Sequence, residues 1–454
     1  MSLVLIAFWM TTCSWISVGH SHEGLNLESA SESHFELSTS GKFFTDIYFP
    51  YQKNIAPKTF NQFATSAWLQ LDGQLNDNLS GRLIYQGDFF DGNNSRLTGD
   101  KAGTHLRNTI REGYGHYTNM GWELKAGRQI ISWGKSDVVN PTDFLSAKDY
   151  SYLVADDETR RVASTGLWSS WTPEEGRSPL NVTLVWMPYF AQSKWLISPD
   201  VIPAQVVVGG VETPDPILAN GEVAAKLTYT GDSWDSSISA FSGWDHRPYL
   251  KEINHTVMPP IVTNLSQSFS RINALGADGS YVSGKWIYRG EGAYVRTPNN
   301  DGANTLIKPT HFNSAWGVER PVSDDFRIQG QFLYKYYPQY TAIDQTTGAD
   351  LISSSINRQI AQTNALIFRY QEQSQPGATF RLSYANDENH FDAEIFYMRY
   401  FNGGDYLIRP KASYAWTDLF RTTLGVDYYG GPSDRALGTS STYNSVFFEA
   451  KYSF

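Results

Sequence analysis

The chain has 454 residues, of which 15% are aromatic and only 18% charged, with a mean hydropathy of −0.39 and a formal net charge of −10. The acidic balance lacks the basic footprint of a nucleic-acid binder, so no nucleic-acid partner is expected. Abundant Tyr, Phe and Trp without long aliphatic runs disfavours a row of soluble domains and suits strands that face lipid on one side and a polar lumen on the other.

Residues 2–18 (SLVLIAFWMTTCSWISV) form the one strongly apolar stretch. It is short and interrupted for a membrane-spanning helix, which needs ~20 apolar residues, and reads as the apolar core of a secretory signal. The expected division is a signal peptide over 1–21, a polar periplasmic leader over 22–33 and a transmembrane barrel over 34–454. No Lys or Arg precedes the apolar run, a departure from the usual signal pattern. Cys13 is the only cysteine and falls within this segment. The mature chain is therefore expected to hold no disulfide, no thiolate metal site and no attached haem, and no cofactor is expected.

From residue 35 onward, short segments alternate apolar and polar residues, the period-two signature of strands with two unlike faces. In 35–47, Phe35, Leu37, Phe43 and Ile47 share one phase, while Glu36, Ser38, Lys42 and Asp46 share the other. Similar segments follow at 63–72, 78–90, 107–117, 122–133, 161–172, 181–190, 222–230 and 234–246. The series continues at 270–283, 285–297, 311–320, 326–337, 378–385, 390–401, 405–416, 419–429 and 443–454. Tight turns (LNDN, TNMG, GDS, SGK, VSDD, NDEN, WTD) alternate with long connections such as 134–160, 191–218, 247–269 and 338–375. This alternation predicts an all-β, antiparallel up-and-down transmembrane barrel of about eighteen strands, with sixteen the alternative, whose long extracellular loops partly fold into the lumen.

Residues 360–370 (IAQTNALIFRY) also alternate, but as a strand they would make the count odd. A helix over 355–371, starting at a Ser cap and aligning Ile356, Ile360 and Ile367, is the favoured expectation.

The last strand, YNSVFFEAKYSF, ends on an aromatic residue and sets Phe454, Tyr452, Ala450, Phe448 and Val446 on one face. It resembles the closing strand of a bacterial outer-membrane barrel. REGY at 111–114, GRQ at 127–129, Trp133-Gly134 and the NPTD of residues 140–143 extend the likeness. Together with GDYLIRP at 404–410 and GVDYYGG at 425–431, they resemble a proteobacterial family of porin-like outer-membrane barrels; GRQ is similar to a motif of alginate-export-type porins. The resemblance implies the cell outer membrane of a Gram-negative bacterium, with lipid, lipopolysaccharide, the barrel-assembly machinery and a small-molecule solute as partners.

Two sets of charges are candidates for the solute path. In and before the 134–160 connection, Asp143, Asp149, Asp156, Asp157 and Glu158 can pair with Arg111, Arg128, Arg160 and Arg161 to make an inward constriction. The alternatives are ion pairs that only pin the loop to the wall, or a calcium site, whose ordered spacing is lacking. Strand phase places Arg289, Arg327, Lys335, Arg409, Lys411, Arg421 and Lys451 on the lumen side, with Glu291, Asp427 and Glu449 among the acids. The mixture fits either a charged track or a salt-bridge network in the wall. Arg128 falls on the lipid phase, which requires a bulge or a different phase there.

No G-x-S-x-G, H-E-x-x-H or phosphate loop occurs, so no enzymatic activity is expected. Asp245-His246, His255 and His311 are the residues on which an outer-rim hydrolase would rest. The expected function is a channel for a small polar or amphiphilic solute. The alternatives are a scaffold or sheath barrel for an export or cytochrome complex, and a hydrolase.

Overall fold

The alternation of unlike faces produces one continuous antiparallel sheet that closes on itself. The computed structural model describes residues 35–50, 63–90, 105–137, 139–150, 154–155, 157–194, 206–255, 263–386, 388 and 390–454. The proposed signal segment and leader lie outside these residues. In chain order the wall strands are β1 (Glu36–Pro50), β2 (Phe63–Asn76), β3 (Leu79–Phe90), β4 (His105–Asn119), β5 (Trp122–Gln129) and β6 (Ser164–Trp171). They continue with β7 (Leu180–Met187), β8 (Glu222–Thr230), β9 (Trp234–Trp244), β10 (Arg271–Ser283), β11 (Trp286–Arg296) and β12 (His311–Pro321). β13 (Phe326–Tyr336), β14 (Ser374–Asn386), β15 (Phe391–Tyr400), β16 (Tyr406–Ala415), β17 (Phe420–Gly430) and β18 (Ser445–Ser453) complete an 18-stranded ring. Each of the eighteen sequence segments overlaps one of these strands.

Closure is made by β1 and β18, which run antiparallel from Lys42↔Ser453 to Pro50↔Ser445. Beyond that ladder, Gly41 and Phe454 exchange backbone bonds of 2.8 and 2.9 Å. The turn between β4 and β5 holds Met120 and Gly121 at φ 47 and 80. A Cβ at Gly121 would meet the Thr172 carbonyl oxygen at 2.2 Å, so this hairpin needs glycine for space as well as for backbone angle.

The outward phase carries Leu69, Leu83, Ile110, Leu184, Leu227, Ile238, Leu275, Trp316, Phe332, Phe380, Ile395 and Leu424, all exposed. Aromatic residues gather towards the strand ends: Trp122 stacks on Trp171 and Tyr281 on Tyr288 near the tight turns, and Tyr334 on Tyr336 near the long loops. An exposed apolar band between aromatic girdles is what a barrel wall presents to lipid.

Two features depart from the sequence expectation. The strand expected over 122–133 ends at Gln129, because Ile130 leaves the wall and its N–H donates to Glu112. The long connections also build a three-stranded sheet of their own from Val206–Glu212, Tyr249–His255 and Thr263–Ser268.

The helix expected over 355–371 forms, but as α1 (Leu351–Phe368). Asp350 rather than a serine caps it, its carboxylate accepting from the Ser353 N–H, and Arg369 ends it in the left-handed region at φ 54. Ile360 and Ile367 are buried with Val208, Leu250 and Leu265 of the loop sheet, and Ile356 packs at the edge of this cluster. Among the described residues, no helix is long and apolar enough to cross a membrane.

Candidate functional site, a loop across the lumen

The described residues of the connection between β5 and β6 (130–163) turn inward. A bulge on β4 prepares its departure: Ile84 pairs with Glu112 and Tyr85 with Ile110, leaving Arg111 as the extra residue. Both Arg111 and Glu112 therefore reach the inner side. Glu112 receives the Ile130 N–H at 2.8 Å. Arg111, with its guanidinium 4.2 Å from the Trp68 ring, donates to Gln86 and to the backbone carbonyls of Glu158, Thr159 and Arg161.

Apolar side chains seat the loop's first half. Ile131, Trp133, Phe144 and Leu145 are buried against Val185, Met187, Ala224, Phe241, Ile272, Ala274, Ala293 and Val295 of the inner wall. Each such burial is worth on the order of 2 kcal/mol. Inward apolar residues on β7–β11 would be misplaced in a water-filled pore, and they exist here because the loop covers them.

The centre of the loop binds Glu291 of β11, which is 1% exposed. Its carboxylate accepts from the N–H groups of Lys135, Ser136 and Thr142 and from the Thr142 hydroxyl, at 2.7 to 3.0 Å. Gly134 makes this approach possible: it sits at φ 100, and a Cβ there would lie 2.7 Å from Glu291 Oε1. Lys135 pairs with Asp235 and reaches Asp278 at 3.6 Å. Asp137 meets Arg381 of β14 at 2.8 Å. In a ring of eighteen, β14 is the ninth strand from β5, so the loop spans the lumen from one wall to the opposite one.

On the return path Asp149 takes Arg107 at 2.6 Å and Lys194 at 3.6 Å, while Arg107 also holds Asp88 at 2.8 Å. Arg161 contacts Asp143 at 3.5 Å and Ser146 Oγ at 3.0 Å; Arg160 stands over the Tyr150 ring. The loop thus gathers Arg111, Asp143, Asp149, Arg160 and Arg161, with Glu158 contributing a carbonyl and keeping its side chain exposed. Asp156 and the side chain of Asp157 lie outside the described residues. Arg128 is the exception. It stays on the outer phase of β5, where its Nε donates to the Ile110 carbonyl beside the β4 bulge at 2.7 Å, and so has no place in the constriction.

The remaining lumen charges pair mainly between nearby strands. Arg289 and Arg327 flank Glu319 at 2.5 and 3.3 Å. Arg409 binds Asp427, Arg421 binds Asp392, and Glu394 lies 3.6 Å from Lys411. Lys451 lines a cavity of ≈ 490 Å³ near the tight-turn end with Arg421, Asp392, Asp418, Asn386 and His390. Glu449 is buried on β18. Lys335 instead serves the loops, donating to the Phe368 carbonyl at 3.3 Å.

Among the described residues no group of three carboxylates or imidazoles converges as a metal site, and the loop carboxylates face cations or backbone donors. Of the histidines named for a hydrolytic site, His246 lies 3.4 Å from the buried Glu222 and does not face Asp245. Asp245 binds Arg247 and Lys308 instead of His246. His246 bonds the Ala191 carbonyl, His311 that of Pro309, and His255 sits 2.5 Å from Glu252.

A closed eighteen-strand barrel with an apolar outer band, charged inner wall and inward loop has the architecture of a porin-like outer-membrane barrel. No family model matches the chain, and none of the curated proteins compared matches it. Among solved structures it is similar to OccAB1 of Acinetobacter baumannii, with TM-score 0.54, 9% identity, and coverage of 92% of this chain and 96% of that one. It is also similar to OccK5 (OpdH) of Pseudomonas aeruginosa, with TM-score 0.50, 8% identity, and coverage of 92% and 98%. At such identity the likeness is one of fold. It does not carry the alginate-export resemblance drawn from GRQ, since three residues that serve a strand end are too few to specify a family.

Proposed function

We propose that this chain is an outer-membrane channel that passes a small polar or amphiphilic solute along a mixed-charge lumen narrowed by residues 130–163. The observation that carries this reading is the loop itself. It is anchored to β11 through Glu291 and to β14 through Asp137, so any solute must pass beside its ion pairs. The apolar outer band supports a place in lipid, where an exposed surface of this kind is stable.

The channel makes and breaks no bond; its lining offers water-like contacts to a polar solute. A sheath around a second protein is less well supported, because the chain's own loop already occupies the lumen. Reconstitution of the full chain in a planar bilayer tests the reading. Stepwise single-channel currents are expected, with ion preference altered when Arg161 or Asp137 is neutralised. A protein that inserts yet carries no current, with or without the 130–163 loop shortened, would overturn it.

A further inference from the structure

Two opposite charges face the cavity at the tight-turn end without meeting. Lys451, on the inner phase of β18, and Asp418, on the turn between β16 and β17, both line this space of ≈ 490 Å³. Neither is within ion-pair distance of the other or of any oppositely charged group among the described residues. Lys451 also stands directly across the ladder from Arg421, on the same inner face. Like charges placed opposite one another destabilise a sheet. Arg421 is answered by Asp392, with which it pairs, whereas Lys451 has no such answer among the described residues.

Backbone bonds tie the rim that sets this separation. The Ala415 N–H donates to the His390 carbonyl at 2.8 Å, joining the end of β16 to the turn after β14. The Ser453 N–H donates to the Leu419 carbonyl at 2.8 Å, joining the end of β18 to the turn that carries Asp418. Thr417 Oγ1 accepts from the N–H groups of Leu419 and Phe420 at 3.3 and 3.0 Å and closes that turn on itself. Side chains carried on bonded strand ends keep their spacing better than side chains on a long loop. The volume also falls within the roughly 300–1,000 Å³ of small-molecule sites.

We propose that this cavity binds a small dipolar solute, one that carries a carboxylate and an ammonium group on the same molecule, as an amino acid does. The carboxylate lies against Lys451 and Arg421, and the ammonium against Asp418. An anion gains the two cations but is repelled by Asp392 and Asp418, and a cation meets the reverse. Only a ligand with both charges pairs Lys451 and Asp418 together, and a ligand with one charge leaves the other residue unanswered. The site stands without the channel reading; that this solute is what the barrel passes rests on it.

The test uses the full chain at neutral pH and low salt, because salt screens ion contacts open to water. The probes are L-alanine, propionate, which lacks the ammonium, and alaninamide, which lacks the carboxylate. Saturation-transfer NMR in detergent reads binding, and interruption of the current in a planar bilayer reads access from the lumen. L-alanine is expected to bind about fivefold more tightly than either analogue, the upper end for one ion contact exposed to water. Lys451→Met should lower L-alanine to the level of alaninamide, and Asp418→Asn to that of propionate, with the heat-modifiable barrel band retained. Equal binding of the three probes by the wild type overturns the proposal whether or not the variants fold. An unchanged preference in either variant overturns it as well. Conduction with no preference among the probes removes the site and keeps the channel. Preference for L-alanine in a protein that never conducts keeps the site and removes the channel.

Discussion

Replacing Glu291 by Gln isolates what the wall contributes to the inward loop, because shape is kept and the charge is lost. In the wild type a carboxylate that is 1% exposed accepts four hydrogen bonds from Lys135, Ser136 and Thr142. Bonds to a charged acceptor contribute about 1.5–3 kcal/mol each. Gln offers one acceptor oxygen and turns an NH2 group towards donors, so two N–H groups lose their partner. Breaking a buried charged contact from one side costs about 3–5 kcal/mol, and each 1.4 kcal/mol is a factor of about ten. The balance between docked and undocked loop centre should therefore move by roughly two orders of magnitude or more. Ile131, Trp133, Phe144 and Leu145 remain buried, so the segment 134–142 is released while its ends stay seated. The expected bilayer record shows larger, noisier unitary currents than the wild type, with the heat-modifiable barrel band intact. Gly134→Ala should give the same phenotype, since its Cβ would collide with Glu291 Oε1. Wild-type conductance and noise in both variants would refute the idea that this carboxylate holds the constriction.

Arg107→Gln should leave Asp88 and Asp149 without their shared guanidinium and shift the reversal potential towards cation preference, while Arg128→Gln, on the outer face, should leave it unchanged. Asn364→Leu removes partners from three buried backbone groups, at about 1–3 kcal/mol for each group left unsatisfied, and should speed protease nicking of α1 without unfolding the barrel. The backbone N–H of Ser353 holds the Asp350 carboxyl below its ordinary value of 3.8. Because that pKa is depressed on folding, its stabilisation is present above the ordinary value and is lost as pH falls through the lower one. Acidification below about pH 4 should therefore fray the start of α1 in the wild type but change an Asp350→Ala variant little at this end, as read by hydrogen exchange of Ser353.

The wall was legible because each of its strands alternates by itself. Faces of unlike polarity along 35–47 or 443–454 need no partner to be recognised, and pairing them in chain order follows from the tight turns. What escaped depends on contacts between distant segments. Val206–Glu212 and Thr263–Ser268 pair in parallel, and nothing in either run announces the other. α1 was recognisable from Ile356, Ile360 and Ile367, but its start was displaced because Asp350, ahead of the serine run, supplies the cap, and Asp and Ser serve that position about equally well.

The candidate site was half visible. The charge-rich loop pointed to Asp143, Asp149, Arg160 and Arg161, whereas Glu291 looked like one lumen charge among many. Its role depends on the backbone of residues 135–142, which side-chain identities do not display. A signal did exist: Phe241, Ile272 and Val295 place apolar groups on the inner phase, which only a covering segment explains. Arg128 was drawn towards the constriction by the GRQ motif, although its strand phase already pointed outward.

The loop's anchors also fix when the constriction can exist during assembly. Thr142 binds a residue 149 positions later in the chain, and Asp137 one 244 positions later. Contacts so far apart cannot form until β11 and then β14 have joined the sheet, and distant pairing is slow for that reason. A nascent wall of six or seven strands thus carries the loop without its carboxylate or its arginine, as an open groove instead of a narrowed tube. Both anchors are available only in a sheet that includes β14, and a wall that ends at β11 would hold the loop by Glu291 alone.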